Sequence, residues 1–411
     1  MGRWFASRQR RALLTVAVVA VFAGVVGCGS SKSAGAPAGG TGGASSQAPG
    51  PTINIGVLGA FSGALGTSGI PLKDAVLAWV QTANAAGGIN GHPVKAFVED
   101  DKGDPAASAQ ALRSLVETDH IVALVGVSAY GTEQVWADYL QAHNVPVVGG
   151  VQGTNIWNTN PLYYGTSLGL VIKAQQYLLN PKALGAKKVW AFYCAEIVTC
   201  AQSADQVKAQ AATVGVGFAG SVAVSASGAN YAAVCLQAKN SGADAVDNIL
   251  PPSDFDRVIS ACHQQGYDPI WAANASAMTS DTLKQPYLQG KMVNYLSSFP
   301  VDAPAAAEFV AAMGEYYPDV DLNTTQGQAA WAGAVLFKTA LKSITPTATV
   351  TSTDVVNGLN SIKNDDLGGL LPQPVTFQAG VPHAPLTCTF TAKLLNQKLV
   401  GDKQPLCAVG Q

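Results

Sequence analysis

Charge is scarce in this chain: 12% of its 411 residues are Asp, Glu, Lys or Arg, and the formal net charge is −2. Arg3, Arg8, Arg10 and Arg11 all precede Cys28 with no acid among them, so the chain beyond that point carries −6. That balance leaves no basic face to neutralise phosphates, which excludes a nucleic-acid partner. Histidine is sparse as well. The five present are scattered, with no H-x-x-x-H spacing and no acid cluster beside them, so neither a zinc nor a calcium site has support, and no cofactor is expected. The glycines of the stretch Thr52 to Gly66 fall at Gly56, Gly59, Gly63 and Gly66. That order is neither a dinucleotide fingerprint nor a phosphate loop.

What the chain has in abundance is apolar residues, at 48%, enough for a large core. Its length is too great for one small domain and points to two lobes. The first residues are explained by processing rather than by folding. Arg8 to Arg11 form a positive region, Ala12 to Val26 an apolar run shorter than a comfortable bilayer span, and Val25-Val26-Gly27-Cys28 follows. This ending resembles a bacterial lipobox, which implies a signal peptide over 1–27, diacylation of Cys28, and anchoring to the outer face of the cytoplasmic membrane. An uncleaved membrane anchor or an ordinary signal peptide is the alternative. Arg10-Arg11 is similar in part to a twin-arginine signal, so the export route stays open. From Gly29 to Pro51 the residues are Gly, Ser, Ala, Pro and Thr with one Lys and one Gln and no apolar periodicity, so 28–51 reads as a flexible tether.

Cys194, Cys200, Cys235, Cys262, Cys388 and Cys407 remain, with no C-x-x-C pair. An even number in an exported chain favours disulfides over metal. Of the possible pairings, Cys194 with Cys200, Cys235 with Cys262 and Cys388 with Cys407 closes the shortest loops and is expected; buried free thiols are the alternative.

From Ile53 onward, buried strands and amphipathic helices alternate. Ile53, Ile55 and Val57 mark a first strand that opens into the loop around Ser62. A helix over 72–86 stops at Gly87-Gly88, and strands follow near 94–98, 121–126 and 145–148, with helices over 106–117 and 132–143 between them. A second alternation runs from the helix Leu170 to Leu179 through strands at 188–193, 220–224, 245–250 and 269–273, separated by helices over 201–213, 231–241 and 253–265. Two helices over 304–317 and 324–343 come next, and after Pro346 short strands are expected. Alternation of this kind predicts parallel sheets covered on both faces.

The stretches IGVLGAFSGALGTSG, AAGGINGHPVKAFVEDDKGDP, VALVGVSAYGTEQ and VPVVGGVQGTN resemble the extracytoplasmic substrate-binding proteins of branched-chain amino-acid type ABC importers, from Ile53 to about Phe377. The resemblance implies an α/β fold of two Rossmann-like lobes joined by three crossovers, of the type I periplasmic binding protein kind. The N-terminal lobe would be 52–168 plus 299–345 and the C-terminal lobe 169–298 plus 346–411. A solute would be held in the cleft between them and passed, by a monomer, to ABC permease subunits.

Strand-end loops facing such a cleft carry Ser62, Ser128, Gly131, Gln152, Thr154, Glu196, Thr199 and Asp254, small and polar groups suited to a small polar ligand. Residue by residue, the resemblance places the hydroxyl that holds a ligand carboxylate at Thr154, and a second such serine at Tyr130. It places an aromatic wall at Ser68, a Tyr-Gly step at Thr199-Cys200, and another tyrosine at Pro251. The acid that pairs with a ligand ammonium falls on Ala275. A desolvated ammonium without a carboxylate costs several kcal/mol, so either Glu196 or Asp254 replaces that acid or the ligand is not an amino acid. Gly165-Thr166-Ser167-Leu168-Gly169 also fits the G-x-S-x-G elbow of serine hydrolases, with His263 and His383 downstream, the remote enzymatic alternative. A ligand sensor of the same fold is the nearer rival. Asp100 and Asp101 read as loop-capping acids.

Overall fold

The computed structural model describes residues 49–128, 131–225, 227, 230–274, 277–296, 299–402 and 404–410. Cys28, the signal peptide, most of the tether, Tyr130 and Ala275 therefore lie outside the described residues. Five strands form the first sheet: β1 (Ile53–Gly59), β2 (Val94–Asp100), β3 (Ala123–Val127), β4 (Val147–Gly150) and β5 (Tyr163–Tyr164). All are parallel, in the order β2-β1-β3-β4-β5. β1 and β3 are almost wholly buried and correspondingly rich in Ile, Val and Leu, as strands covered on both faces must be.

Between these strands run α1 (Gly66–Ala85), α2 (Pro105–Glu117) and α3 (Ala137–His143), the last preceded by a 3₁₀ turn over Thr132–Trp136. Asp104 caps α2, its carboxylate accepting from Ala107 N–H at 2.7 Å, with Pro105 at the first helical position where its missing N–H costs nothing. α1 starts earlier than the sequence predicts, at Gly66 rather than at Leu72. Pro71 sits within the helix.

The second sheet contains β6 (Lys188–Cys194), β7 (Gly217–Val224), β8 (Ala245–Ile249), β9 (Ile270–Asn274) and β10 (Met292–Leu296), in the order β7-β6-β8-β9-β10. That repeats the strand order of the first sheet. Antiparallel strands β11 (Cys388–Leu395) and β12 (Lys398–Gly401) extend it beyond β10, and β13 (Leu406–Cys407) pairs with β11. Helices α4 (Leu170–Ala183) and α5 (Val198–Val214) pack on one face. Helices α6 (Tyr231–Asn240) and α7 (Pro252–Gln264) bury their apolar stripes on the other. The short α8 (Ser280–Lys284) follows β9.

After β10 the chain returns to the first sheet as α9 (Ala307–Tyr316) and α10 (Thr325–Ala340), which pack against α1, and α10 also against β3 and β4. α10 rests backbone to backbone on β4: a Cβ at Gly149 would lie 2.2 Å from the Gly333 Cα. The expectation of short strands directly after Pro346 is wrong, because a helix, α11 (Ser352–Ser361), intervenes. Its start is fixed by a capping box in which Thr351 and Asp354 satisfy each other's N–H groups. α11 packs on α10, and Asn144 donates to Thr353 while Tyr164 donates to Asn360. Part of the 346–411 segment expected in the second lobe thus belongs with the first sheet. The chain passes between the sheets three times, before α4, after β10 and before β11, which makes two Rossmann-like lobes.

All three neighbour disulfides form: Cys194–Cys200, Cys235–Cys262 and Cys388–Cys407. The Gly87 to His92 turn has a structural task. Asn90, in the left-handed region, donates to the Leu341, Lys342 and Ile344 carbonyls that end α10, and the His92 ring nitrogens reach the Pro51 and Thr345 carbonyls.

Candidate functional site

In open α/β sheets ligands bind beyond the carboxyl ends of the strands, and here those ends carry carboxylates already bonded to their own loops. At the end of β2, Asp100 accepts from Phe61 N–H at 2.9 Å and Lys102 N–H at 3.0 Å. Burial pushes its pKa up, but the Ser62 hydroxyl and those two N–H groups outweigh it and hold the carboxyl below the ordinary range. Asp101 is buried and accepts from the Thr132 hydroxyl at 2.7 Å and Gly103 N–H at 2.9 Å. Both acids close loops, as their strand-end positions suggest.

The third carboxylate, Glu133, is missed in the sequence because it reads as one polar residue of a helix. It is 0% exposed. Its Oε2 accepts from Gly131 N–H at 2.7 Å and its Oε1 from the Thr154 hydroxyl at 3.0 Å. Gly131 reaches that position with φ at 112°, which favours glycine. The expected residues Gly131 and Thr154 are therefore brought together, by an acid between them.

Ser128, one residue beyond β3, is 0% exposed and its hydroxyl has no hydrogen-bond partner. Gln152, past β4, is 3% exposed; its Nε2 donates to the Ser167 carbonyl at 2.6 Å, which fixes the amide orientation and leaves Oε1 unpartnered. Lys173 on α4 donates to the Gln152 carbonyl at 2.9 Å. Burial pushes its ammonium down to about 8, opposed by the nearby Glu133 carboxylate. Sequence reading passes over Lys173, although a lysine inside the apolar run LVIKAQQY is a signal that could have found it.

Gln152, Gly153, Lys173, Thr199, Ser203 and Ile249 help line a cavity of about 180 Å³. Its walls come from both lobes: β4's loop and the start of α10 on one side, α4, α5 and the end of β8 on the other. Gln152 and Thr199 thus share one cavity. The other expected residues do not line it. Ser68 lies half-buried in the first turn of α1, and Pro251 is exposed just before α7. Glu196 is exposed and accepts from the Ser225 hydroxyl at 2.7 Å. Asp254 is buried, accepting from the Tyr231 hydroxyl at 2.7 Å with Arg257 at 3.7 Å.

The amino-acid sequence matches the periplasmic binding protein family over residues 52–398. The chain belongs to the periplasmic binding protein family. No curated protein sequence matches it significantly. Solved structures of similar fold include an ABC transporter substrate-binding protein from Aeropyrum pernix, 16% identical, covering 88% of this chain and 97% of that one, with a TM-score of 0.73. A fatty acid ABC transporter substrate-binding protein from Thermomonospora curvata is 18% identical over 88% of this chain and 95% of its own, at a TM-score of 0.69. A solute-binding protein of an R. palustris ABC transporter, in complex with benzoate, is 14% identical over 87% and 98%, also at 0.69.

A periplasmic binding protein is a binding protein rather than an enzyme, and Ser167 fits that role. Its hydroxyl donates to the Gly150 carbonyl at 2.8 Å and accepts from Gln152 N–H at 3.3 Å. That pairs it with backbone, whereas a nucleophile needs a base. His383 is turned to the Pro161 carbonyl and His263 to Asp268. Among the described residues of this periplasmic binding protein no helix is long and apolar enough to cross a membrane, and no group of three His, Cys, Asp or Glu could hold a metal.

Proposed function

We propose that this protein captures a small polar solute, an amide or small carboxylate in size and type, between its two lobes and hands it to the permease of an ABC importer. The observation that carries this reading is the cavity walled by both lobes, with Gln152 on one side and Thr199 on the other. Its volume of about 180 Å³ is below the range typical of drug-sized ligands, which suits a small solute. The substrate-binding proteins of ABC transporters among its structural relatives support delivery to a permease. Closure follows from the solute binding the closed form more tightly than the open one, with no covalent step. Acylated Cys28 and the tether behind it hold the protein, as a monomer, at the outer face of the cytoplasmic membrane.

Thermal-shift measurement against a panel of small amides, carboxylates, amino acids and aromatic acids tests the binding role. One class raises the melting temperature in a concentration-dependent way. Absence of any shift, or ester hydrolysis abolished by Ser167→Ala, contradicts it. Labelling with a fatty-acid analogue that reaches the full chain but not its Cys28→Ser variant tests the anchor.

A further inference from the structure

Among the described residues that line the inter-lobe cavity, Lys173 supplies the only charge, and neither Asp nor Glu is present. Its side chain comes from near the start of α4, is half-buried, and donates to the Gln152 carbonyl of the first lobe at 2.9 Å. That bond uses one of the three donors of an ammonium. Among the described residues no carboxylate forms an ion pair with Lys173. Glu133 acts on it through its field alone. Fully buried, that acid does not line the cavity, and its two oxygens already accept from Gly131 N–H and the Thr154 hydroxyl.

Burial lowers the Lys173 ammonium to about 8 in spite of that field, a desolvation cost the chain itself does not offset, yet the group stays charged at neutral pH. A solute carboxylate in contact with it would offset the cost through a charge-assisted hydrogen bond. An amide would make a weaker neutral bond, and an ammonium would meet a charge of its own sign with no acid on the wall to receive it. A dianion would keep one charge uncompensated. The rest of the wall includes Leu170, Ala174, Ile249 and Ala329, apolar surface that suits a short hydrocarbon body.

We infer that Lys173 sets the charge selectivity of this site: it pairs with the single carboxylate of a small solute that has an apolar body and no ammonium group. This rests on the binding role proposed above and narrows its ligand class to monocarboxylates.

The test is isothermal titration of the full chain with matched sets that differ in their charged groups: propionate, propionamide, propylamine and alanine, then phenylacetate, phenylacetamide, phenethylamine and phenylglycine. In at least one set the carboxylate binds tighter than its three counterparts by about tenfold or more. In Lys173→Met, checked for an unchanged circular dichroism spectrum, that carboxylate weakens by about tenfold or more while the matching amide stays within about threefold. A second reading needs no variant. Near pH 8 the bound anion favours the ammonium, so capture of the carboxylate takes up protons, seen as heats that differ between buffers of unlike ionisation enthalpy; capture of the amide does not. An amide, amine or amino acid that binds tightest in the natural chain, a carboxylate affinity that survives Lys173→Met, or absence of proton uptake overturns the assignment while leaving the binding role standing. Failure of every compound here and in the thermal-shift panel counts against both.

Discussion

The Thr154 hydroxyl donates to Glu133 Oε1 at 3.0 Å, tying the loop after β4 to the loop after β3 through a fully buried acid. Thr154→Val keeps the shape and removes the donor, leaving one carboxylate oxygen without this bond in a water-poor site. Loss of a hydrogen bond to a charged group costs about 1.5–3 kcal/mol. Urea denaturation of Thr154→Val is expected to show a loss of that size. An unchanged midpoint would mean that Glu133 is not held by Thr154.

Ser128 presents the opposite situation, a buried hydroxyl with no bond to lose. Ser128→Ala is expected to leave the protein as stable or to stabilise it by about 0.5–1 kcal/mol in urea denaturation. A clear loss of stability would show that the Ser128 hydroxyl is bonded in the folded chain.

Lys173 makes stability depend on pH. Its ammonium titrates at about 8 in the folded chain against an ordinary value of 10.5. Between those values the unfolded chain holds a proton that the folded chain has released, so the Lys173 contribution to stability rises with pH from about 8 to 10.5 and is flat below. Because the side chain is half-buried, solvent screening reduces the gain to about 1–2 kcal/mol. Denaturation of the natural chain and of Lys173→Met across that range is expected to diverge in favour of the natural chain. Parallel curves would contradict the assignment.

The alternation of strands and helices was legible because each parallel strand is buried on both faces and shows as a short apolar run, such as Ala123–Val127, bounded by turn residues. The neighbour disulfides were legible from loop length. α11 was not, because STDVVNGLNS mixes β-branched residues with Asn and Gly; its capping box and its packing on α10 outweigh that poor propensity. Nor was the role of Glu133 or Lys173. Each owes its place to partners across the fold: the Thr154 hydroxyl lies 21 residues from Glu133, as the Gln152 carbonyl does from Lys173. Asp254 illustrates the converse, a cleft-loop acid by sequence that is bonded to Tyr231 at the start of α6.

The Cys194–Cys200 bond closes the loop Ala195 to Thr199, and Thr199 lines the inter-lobe cavity. Holding that loop lowers the ordering cost of binding. The double variant Cys194→Ser, Cys200→Ser is expected to bind its solute about three- to tenfold more weakly and to melt at lower temperature. Unchanged affinity in titration calorimetry would show that the bond serves the second lobe's stability alone.

The central claim, that two lobes close on a solute they do not transform, is most directly tested by small-angle X-ray scattering of the chain with and without the tightest-binding compound of the thermal-shift panel. The radius of gyration is predicted to fall on saturation, with the compound recovered unchanged afterwards. An unaltered scattering curve at saturation, or a chemically altered compound, would contradict it.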